Sequence, residues 1–537
     1  MGVEKCKRVA VIGAGMAGIC GIKCLKEEGI EPVCFERTGF YSGTWRYNEE
    51  DIDGLAAITS ATTANNSKEM SALSDYPFPK DCPNYPSHKK IYELAKDYAN
   101  RFDILKHVHF NHEVTHVCQT EDYDETGRWT VTVKNLRSNK ITTDVFDGVF
   151  VCTGQFAYPN MPIFPGQEKF KGRILHSKQL RTFESFKNEK VVVVGLGCSA
   201  VDAATEISNL AEQVYLSTRT GAWVLPRSGP YGLPTDLCCL RRWSNYLLQS
   251  LPLTWSSRYI ENFFERLSFN HSLYGIKPSH HLMSQDPVVS DILPIKILSG
   301  HVIVKDDIKC FTECGVIFEG ERNITEVDTV IMATGYQWKF PFLSDGILTK
   351  DGDCLNIYKC VYPAQLPHPT LAIIGFILPL GPGFPMGESQ CRWAALLINK
   401  KVEFPPTEKM LAEVRKTYEM NIKRYKKSDR LTTRVDYIDY LDDIAFQFGA
   451  KPNLVKIFFT DQKLFWALWL GPSLPYQYRL QGPHKWSGAR NAILTYKERV
   501  KYPLRSGRNK KAGSKLGGLS LKVVIAIVVL WFWISLF

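Results

Sequence analysis

The sequence predicts an α/β chain in which a strand, glycine turn, helix and strand occur in that order twice, followed by an apolar C-terminal end. Three observations carry this. Arg8 to Glu36 reads as a short apolar strand, a turn at Gly13-Ala14-Gly15-Met16-Ala17-Gly18, a helical pattern through Leu25 and a second apolar run closed by Glu36. Lys190 to Ser217 repeats the plan, with Gly195-Leu196-Gly197-Cys198-Ser199-Ala200 as its turn. Val523 to Phe537 is apolar apart from Ser535. The predicted class is therefore α/β, with two Rossmann-like dinucleotide-binding domains, a helical insertion and a C-terminal hydrophobic membrane helix.

In the first unit, glycine alone is weak evidence. Both flanking strands and the acid at Glu36 complete the context that the dinucleotide fingerprint requires. Gly13 allows a tight turn, Gly15 lets the backbone approach a pyrophosphate, and Gly18 lets the helix pack close to the sheet. The helix N-terminus offers free N–H groups to phosphate. Glu36 can accept hydrogen bonds from ribose hydroxyls. The loop Ser42-Gly43-Thr44-Trp45-Arg46 comes next, where a nucleotide should lie. Asn65-Asn66-Ser67-Lys68-Glu69-Met70 is a polar turn, and Ile91 to Arg101 is helical. Val108 to Val117 and Trp129 to Val133 alternate like strands. Asp147 to Gly154 is a buried strand ending on small residues, which closes this unit.

In the second unit the strand Gln213 to Ser217 ends on Thr218-Arg219 instead of an acid. Arg at that place accommodates a 2′-phosphate. Trp223 to Pro294 breaks the β–α alternation and is read as a helical insertion lining an entry route. Val302 to Phe318 alternates like a meander. Asp328 to Gly335, DTVIMATG, echoes the earlier strand ending at Thr153-Gly154. Helices are expected at Met386 to Ile398 and Thr407 to Lys426. The expected division is 1–154 with 331–442 for the first nucleotide, and 155–222 with 295–330 for the second. Residues 223–294 form the insertion, 443–496 a C-terminal segment on the first domain, 497–515 a basic linker and 516–537 a membrane anchor.

The chain has 537 residues, 45% hydrophobic and 23% charged, a composition that suits two or three globular domains. Net charge is +11, but eight Lys or Arg and one acid fall between Lys497 and Lys515, so the body is only mildly basic. No nucleic-acid partner is expected. The N-terminus has no signal-peptide pattern. The 15 cysteines follow no framework spacing and no CxxC occurs, which indicates reduced thiols in a cytosol-facing body. No metal centre is expected. The basic run before the apolar tail suits an anionic cytosolic leaflet.

Two fingerprints imply two nucleotides; the acid after the first and Arg after the second suggest FAD, then NADPH. A disulfide reductase would need a CxxxxC pair on the first domain, and no cysteine follows Glu36 until Cys82. An NADPH oxidase or a monooxygenase remains.

Phe170-Lys171-Gly172-Arg173-Ile174-Leu175-His176 resembles the FxGxxxHxxx(F/Y) sequence of the flavin-containing monooxygenases, in its usual place before the second glycine turn. Asn65 to Met70, Thr218-Arg219, Ala333-Thr334-Gly335-Tyr336 and Pro475 to Thr495 are similar to that family too. The resemblance spans the whole chain and is nearest the microsomal, animal, dimethylaniline N-oxide-forming type. Leu180 departs from the closing Phe or Tyr, Ala64 stands where Thr is usual, and Ala200 replaces a glycine. Baeyer–Villiger enzymes end a similar motif in Trp, which Leu180 does not support.

The resemblance implies NADPH- and O2-dependent oxygenation of a soft nucleophile, amine nitrogen or sulfide sulfur, through a C4a-hydroperoxyflavin. The alternatives are an NADPH oxidase releasing hydrogen peroxide and a Baeyer–Villiger oxygenase of carbonyls. The cofactor carries the hard chemistry and the protein positions it. By the same resemblance Asn65 is the catalytic residue, beside the flavin ring. FAD would be bound by Gly13, Ala14, Gly15, Met16, Ala17, Gly18, Glu36, Thr44, Trp45, Asn65 and Asn66. NADPH would be bound by Ala64, Gly195, Gly197, Ser199, Ala200, Val201, Asp202 and Arg219. His176 is expected to orient the linker between the folds. The partners are a small-molecule nucleophile, O2 and a membrane, with an oligomer compatible. The implied location is the endoplasmic reticulum membrane, with the catalytic body facing the cytosol.

The tail reading has a direct test. A chain cut before Leu516 should shed its need for detergent while still binding FAD. Lys497 to Lys515 should leave a weak, salt-sensitive attachment to anionic lipid. A truncated chain that still needs detergent at high salt would place membrane contact elsewhere, first in the insertion.

Overall fold

Two five-stranded parallel sheets organise the chain. The computed structural model describes residues 6–428 and 430–504. The first sheet runs Leu371–Ile373, Gly148–Val151, Arg8–Ile12, Glu31–Glu36, Val108–Phe110. The second runs Val302–Lys305, Gln213–Ser217, Lys190–Val194, Thr329–Met332, Arg173–His176. The two halves share a plan. In each, the glycine-turn strand pairs on one side with the strand that comes after its helix. On the other side it pairs with a later return strand, Val9 opposite Gly148 in the first half and Val191 opposite Thr329 in the second.

Parallel strands covered on both faces read as continuous apolar runs, and both central strands do. Val9 and Val11 face a core with Ile19, Ile22 and Trp393, from the helices Met16–Glu27 and Gly383–Ile398. Ala10 and Ile12 face the opposite way, toward Val117, Trp129 and Val131. Those residues belong to an antiparallel sheet, His112–Gln119, Trp129–Asn135 and Ile141–Phe146. The second half repeats the division. Val191 and Val193 meet Ala200, Val201 and Ile207 on the helix Cys198–Ile207. Val192 and Val194 meet Ile308, Val316 and Phe318.

Two boundaries differ from expectation. Val302–Lys305 joins the second parallel sheet, and the meander begins only at Ile308–Phe311. Continuous alternation across both strands hides the break, because it is blind to which neighbour a strand pairs with. The start of the expected basic linker is instead the last turn of the helix Ala489–Lys501. There Arg499 is buried, with Nε donating to Glu69 Oε1 at 2.9 Å and Nη2 to the Phe78 carbonyl at 2.6 Å. A run expected to be a basic linker thus contributes one internal ion pair. The expected anchor, 516–537, and residues 505–515 of the linker lie outside the described residues. No described helix is long and apolar enough to cross a membrane.

Residues 223–294 hold the helices Thr235–Cys239, Arg242–Ser250 and Leu253–Leu267, and a short parallel pair, Val224–Leu225 with Val288–Val289. This segment is fastened to the C-terminal part. Arg242 grips Asp442 with two bonds of 2.6 and 2.7 Å, and Gln477 Oε1 accepts from its Nε at 3.0 Å.

The two glycine turns differ in tightness. A Cβ on Gly18 would lie 1.9 Å from the Gly13 carbonyl oxygen, whereas the second turn carries a buried Ala200 at the corresponding place. Gly18→Ala should therefore displace the first helix. Its cost should exceed the ~1–3 kcal/mol of ordinary overpacking, seen as a lower Tm and lost FAD content. Ala200→Gly should cost only about 1 kcal/mol, the helix-propensity difference. Equal, small effects on Tm would mean that the first helix slides freely.

Candidate active site

The first turn opens onto a cavity of about 700 Å³, whose walls include Gly13, Gly15, Met16, Ala17, Glu36, Thr44 and Trp45. The volume lies in the range of pockets that enclose organic ligands. Backbone geometry explains the opening. Gly13 has φ +96°, and a Cβ there would stand 2.9 Å from the Cys152 carbonyl oxygen. Ser42 N donates to the Ala14 carbonyl at 2.8 Å, bringing the Gly43–Trp45 turn against the glycine loop. Trp45 packs edge-on against Phe384. Ala14 and Gly18 sit behind the wall and shape it.

The residues present fit a dinucleotide. Gly15 caps the first helix with no side-chain hydrogen bond, and a Cβ on it would find nothing closer than 3.9 Å. Gly197 caps the second helix in the same way, and a Cβ on it would meet nothing within 4 Å. Both helix N-termini thus keep unpaired N–H groups facing open space, the arrangement that receives phosphate. Glu36 accepts from Ala14 N at 2.8 Å, Thr38 N at 2.8 Å and Thr38 Oγ1 at 2.7 Å. An ionised carboxylate has about four acceptor positions, so capacity remains for a ribose hydroxyl.

In the second half, Gly195 has φ +111° and a Cβ on it would lie 2.7 Å from the Ala333 carbonyl oxygen. Ser199 is exposed at the start of the helix, while Ala200 and Val201 turn their side chains into the core. Only their backbone can face a ligand. Arg219 is exposed at the strand end. Asp202 is half-buried, and burial pushes its carboxyl up to about 6 against the pull of Arg227.

Asn65, Asn66 and Ala64 do not line the first cavity. They stand on a loop met by the insertion. Arg227 Nη2 donates to Asn65 Oδ1 at 2.7 Å, and its Nε to the Ala64 carbonyl at 3.2 Å. Arg227 also pairs with Asp291 at 3.7 Å, so it joins the Asn65 loop to the far end of the insertion. No sequence pattern marks Arg227, which lies in a Pro- and Gly-rich stretch without periodicity. Its Asn65 contact fixes the amide's orientation: Oδ1 is taken, and Nδ2 is left to donate. Asp236 supports the same loop, Ser67 N donating to its Oδ2 at 2.6 Å.

His176 is a structural residue. Its Nδ1 accepts from Lys178 N at 3.0 Å, which leaves Nε2 to donate to the Gly335 carbonyl at 3.1 Å. Burial lowers its pKa, in keeping with the neutral ring. Leu180, the motif's departure, is buried with Phe183 and Val201, so it substitutes one apolar packing residue for another.

Asp236 yields a pH prediction. Its Oδ1 is shut from solvent without a partner, and burial pushes the carboxyl up to about 6 from an ordinary 3.8. Because the folded value is raised, stability is fully present below the unfolded value and falls as pH rises through about 6. Asp236→Asn keeps an acceptor for Ser67 N and removes the ionisation. Its unfolding free energy should exceed the parent's at about pH 7.5, by on the order of 1–2 kcal/mol, and by less at about pH 5. A difference that does not change with pH would mean the carboxyl is not strained.

Comparison with known proteins agrees with this geometry. The family model for flavin-binding monooxygenase-like proteins matches residues 6–537. The chain is 42% identical over 525 residues to Flavin-containing monooxygenase 5 of Cavia porcellus, covering 97% of this chain and 98% of that protein. It is 40% identical over 531 residues to Dimethylaniline monooxygenase [N-oxide-forming] 2 of Rattus norvegicus, covering 98% and 99%. The structure of S-allyl-L-cysteine S-oxygenase from Allium sativum shares the fold, with a TM-score of 0.63, 21% identity and coverage of 92% and 98%. Two glycine turns on matched half-folds and full-length similarity lead to one conclusion: the chain belongs to the flavin-binding monooxygenase-like family.

Proposed function

We propose that this protein oxygenates soft nucleophiles, amine nitrogen or sulfide sulfur, using FAD, NADPH and O2. The observation that carries the reading is the pair of uncapped glycine-turn helices, one in each half of the chain. Bound FAD, reduced by NADPH, supplies the oxygen chemistry. The chain supplies the rest. The Gly13–Gly18 turn receives the FAD pyrophosphate, and Glu36 orients a ribose. Gly195, Gly197 and Ser199 offer backbone to the NADP pyrophosphate, and Arg219 meets the 2′-phosphate. Asn65, held through Oδ1, presents Nδ2 as a donor at the reacting centre. Trp45 and Phe384 wall the cavity with aromatic surface and exclude water. The relative's N-oxide-forming name supports an amine substrate. The apolar tail after a basic run supports attachment to the endoplasmic reticulum membrane with the body facing the cytosol; the truncation before Leu516 tests it.

The experiment supplies NADPH, isotopically labelled dioxygen and N,N-dimethylaniline or a dialkyl sulfide. Label should appear in the N-oxide or S-oxide, with one NADPH consumed per product. Hydrogen peroxide as the sole product across amines and sulfides would make the protein an oxidase. The same assay tests Asn65. Asn65→Asp keeps the turn geometry but removes the donor. Product formation should fall about a hundred-fold, with near-normal FAD content and NADPH diverted to hydrogen peroxide. Product formation within a factor of about two of the parent would leave Asn65 a turn residue.

A further inference from the structure

A second cation stands beside Arg219. Lys426 lies two residues beyond the helix Thr407–Arg424, and its Nζ donates to Thr220 Oγ1 at 3.1 Å. Thr220 is the residue after Arg219. Burial, and then the charge of Arg219, lower the Lys426 pKa. Among the described residues, no carboxylate forms an ion pair with either group. Their basic neighbours are different: Arg424 pairs with Asp436 and Arg434 with Asp286.

The approach is built into the chain. Lys426 N donates to the Ser284 carbonyl at 3.1 Å, and Arg424 Nε to the Met283 carbonyl at 3.2 Å. Both tie the end of the helix to the insertion. The helix buries Met410 and Val414 in the core beneath the first sheet. Lys426 therefore comes from the first half of the molecule and Arg219 from the second. Two like charges held together are unfavourable unless an anion lies between them, and a hydroxyl beside them adds a further donor.

We propose that Lys426 and Thr220 complete the 2′-phosphate site begun by Arg219, so that NADP(H) is recognised by cations from both halves of the chain. The proposal rests on the assignment of the second glycine turn to NADP(H). A phosphate dianion satisfies both cations, while the 2′-hydroxyl of NAD(H) leaves both charges uncompensated. Selectivity then arises from relief of repulsion as well as from attraction. The coenzyme also becomes a brace between the halves.

The test is equilibrium binding to the oxidised, FAD-loaded full chain. NADP⁺, NAD⁺ and 2′,5′-ADP are titrated against the parent, Lys426→Met, Lys426→Arg and Arg219→Ala. Lys426→Met should weaken NADP⁺ and 2′,5′-ADP about ten-fold and leave NAD⁺ within about two-fold. Its NADP⁺ affinity should depend less steeply on salt. Lys426→Arg should retain most of the preference, showing that charge and not packing is at issue. If Lys426→Met weakens NADP⁺ and NAD⁺ alike, or neither, while Arg219→Ala still discriminates, Lys426 is no part of the site. If Arg219→Ala also fails to discriminate, the NADP(H) assignment of the second turn falls with it.

Discussion

Each nucleotide turn is wedged against the end of its own return strand, and the rest of the site depends on that contact. Gly13 approaches the Cys152 carbonyl and Gly195 approaches the Ala333 carbonyl, each where a Cβ would stand under 3 Å from the oxygen. The contact sets where the helix starts, and hence where its free N–H groups point. It also fixes the two residues that leave the strand end, Thr153-Gly154 in one half and Thr334-Gly335 in the other. His176 then bonds to the Gly335 carbonyl, so the chain between the halves is registered to the same strand end. One steric requirement, met twice by glycine, thus aligns both helices and their connection.

The insertion acts as a strut between the halves. Arg227 reaches back to Ala64 and Asn65, while Asp236 receives Ser67 N. The loop is also held from its own half, with Ala64 N donating to the Pro86 carbonyl at 2.9 Å and Lys68 N to the Asn84 carbonyl at 2.7 Å. With Oδ1 occupied by a guanidinium, turning the Asn65 amide over would set an NH2 group against a cation. The orientation is therefore strongly enforced. Asp236 shows the cost of this arrangement, since its unpaired Oδ1 is a buried polar group of the sort found where local stability is given up for geometry.

Much of this was legible in the sequence. Both glycine turns, their strands, the return strands ending in Thr-Gly, and the helices near Met386 and Thr407 are set by local pattern and spacing. What escaped is what depends on distant neighbours. Val302–Lys305 looked like part of a meander because alternation does not reveal a partner. Arg499 was counted in the basic linker because its partner Glu69 lies far away in the chain. Arg227 and Lys426 carry no local signal, as each matters through a residue more than 150 positions away. Asn65 was singled out by resemblance and not by its own surroundings. Its tie to Arg227 is a physical ground that the sequence alone does not contain.

The C-terminal segment explains how a cavity wall can hold a buried carboxylate. Glu388 lines the first cavity and is buried, but its charge is spent elsewhere. Ser74 N and Oγ donate to it at 2.6 and 2.7 Å, and Arg479 donates at 3.0 Å. Arg479 also meets Asp75 at 3.0 Å, which in turn pairs with Lys23 at 2.6 Å on the first helix. Replacing such a network with apolar side chains is often neutral or stabilising, so its presence is weak evidence for stability. Geometry is the better account. Arg479 reaches Glu388 and Asp75 at once, so these pairs form only when the Pro475–Arg479 turn is docked on the first helix and on Gly383–Ile398. Docking therefore brings Arg479 to Glu388 and places a cation against the one acid that this network shares with the cavity wall.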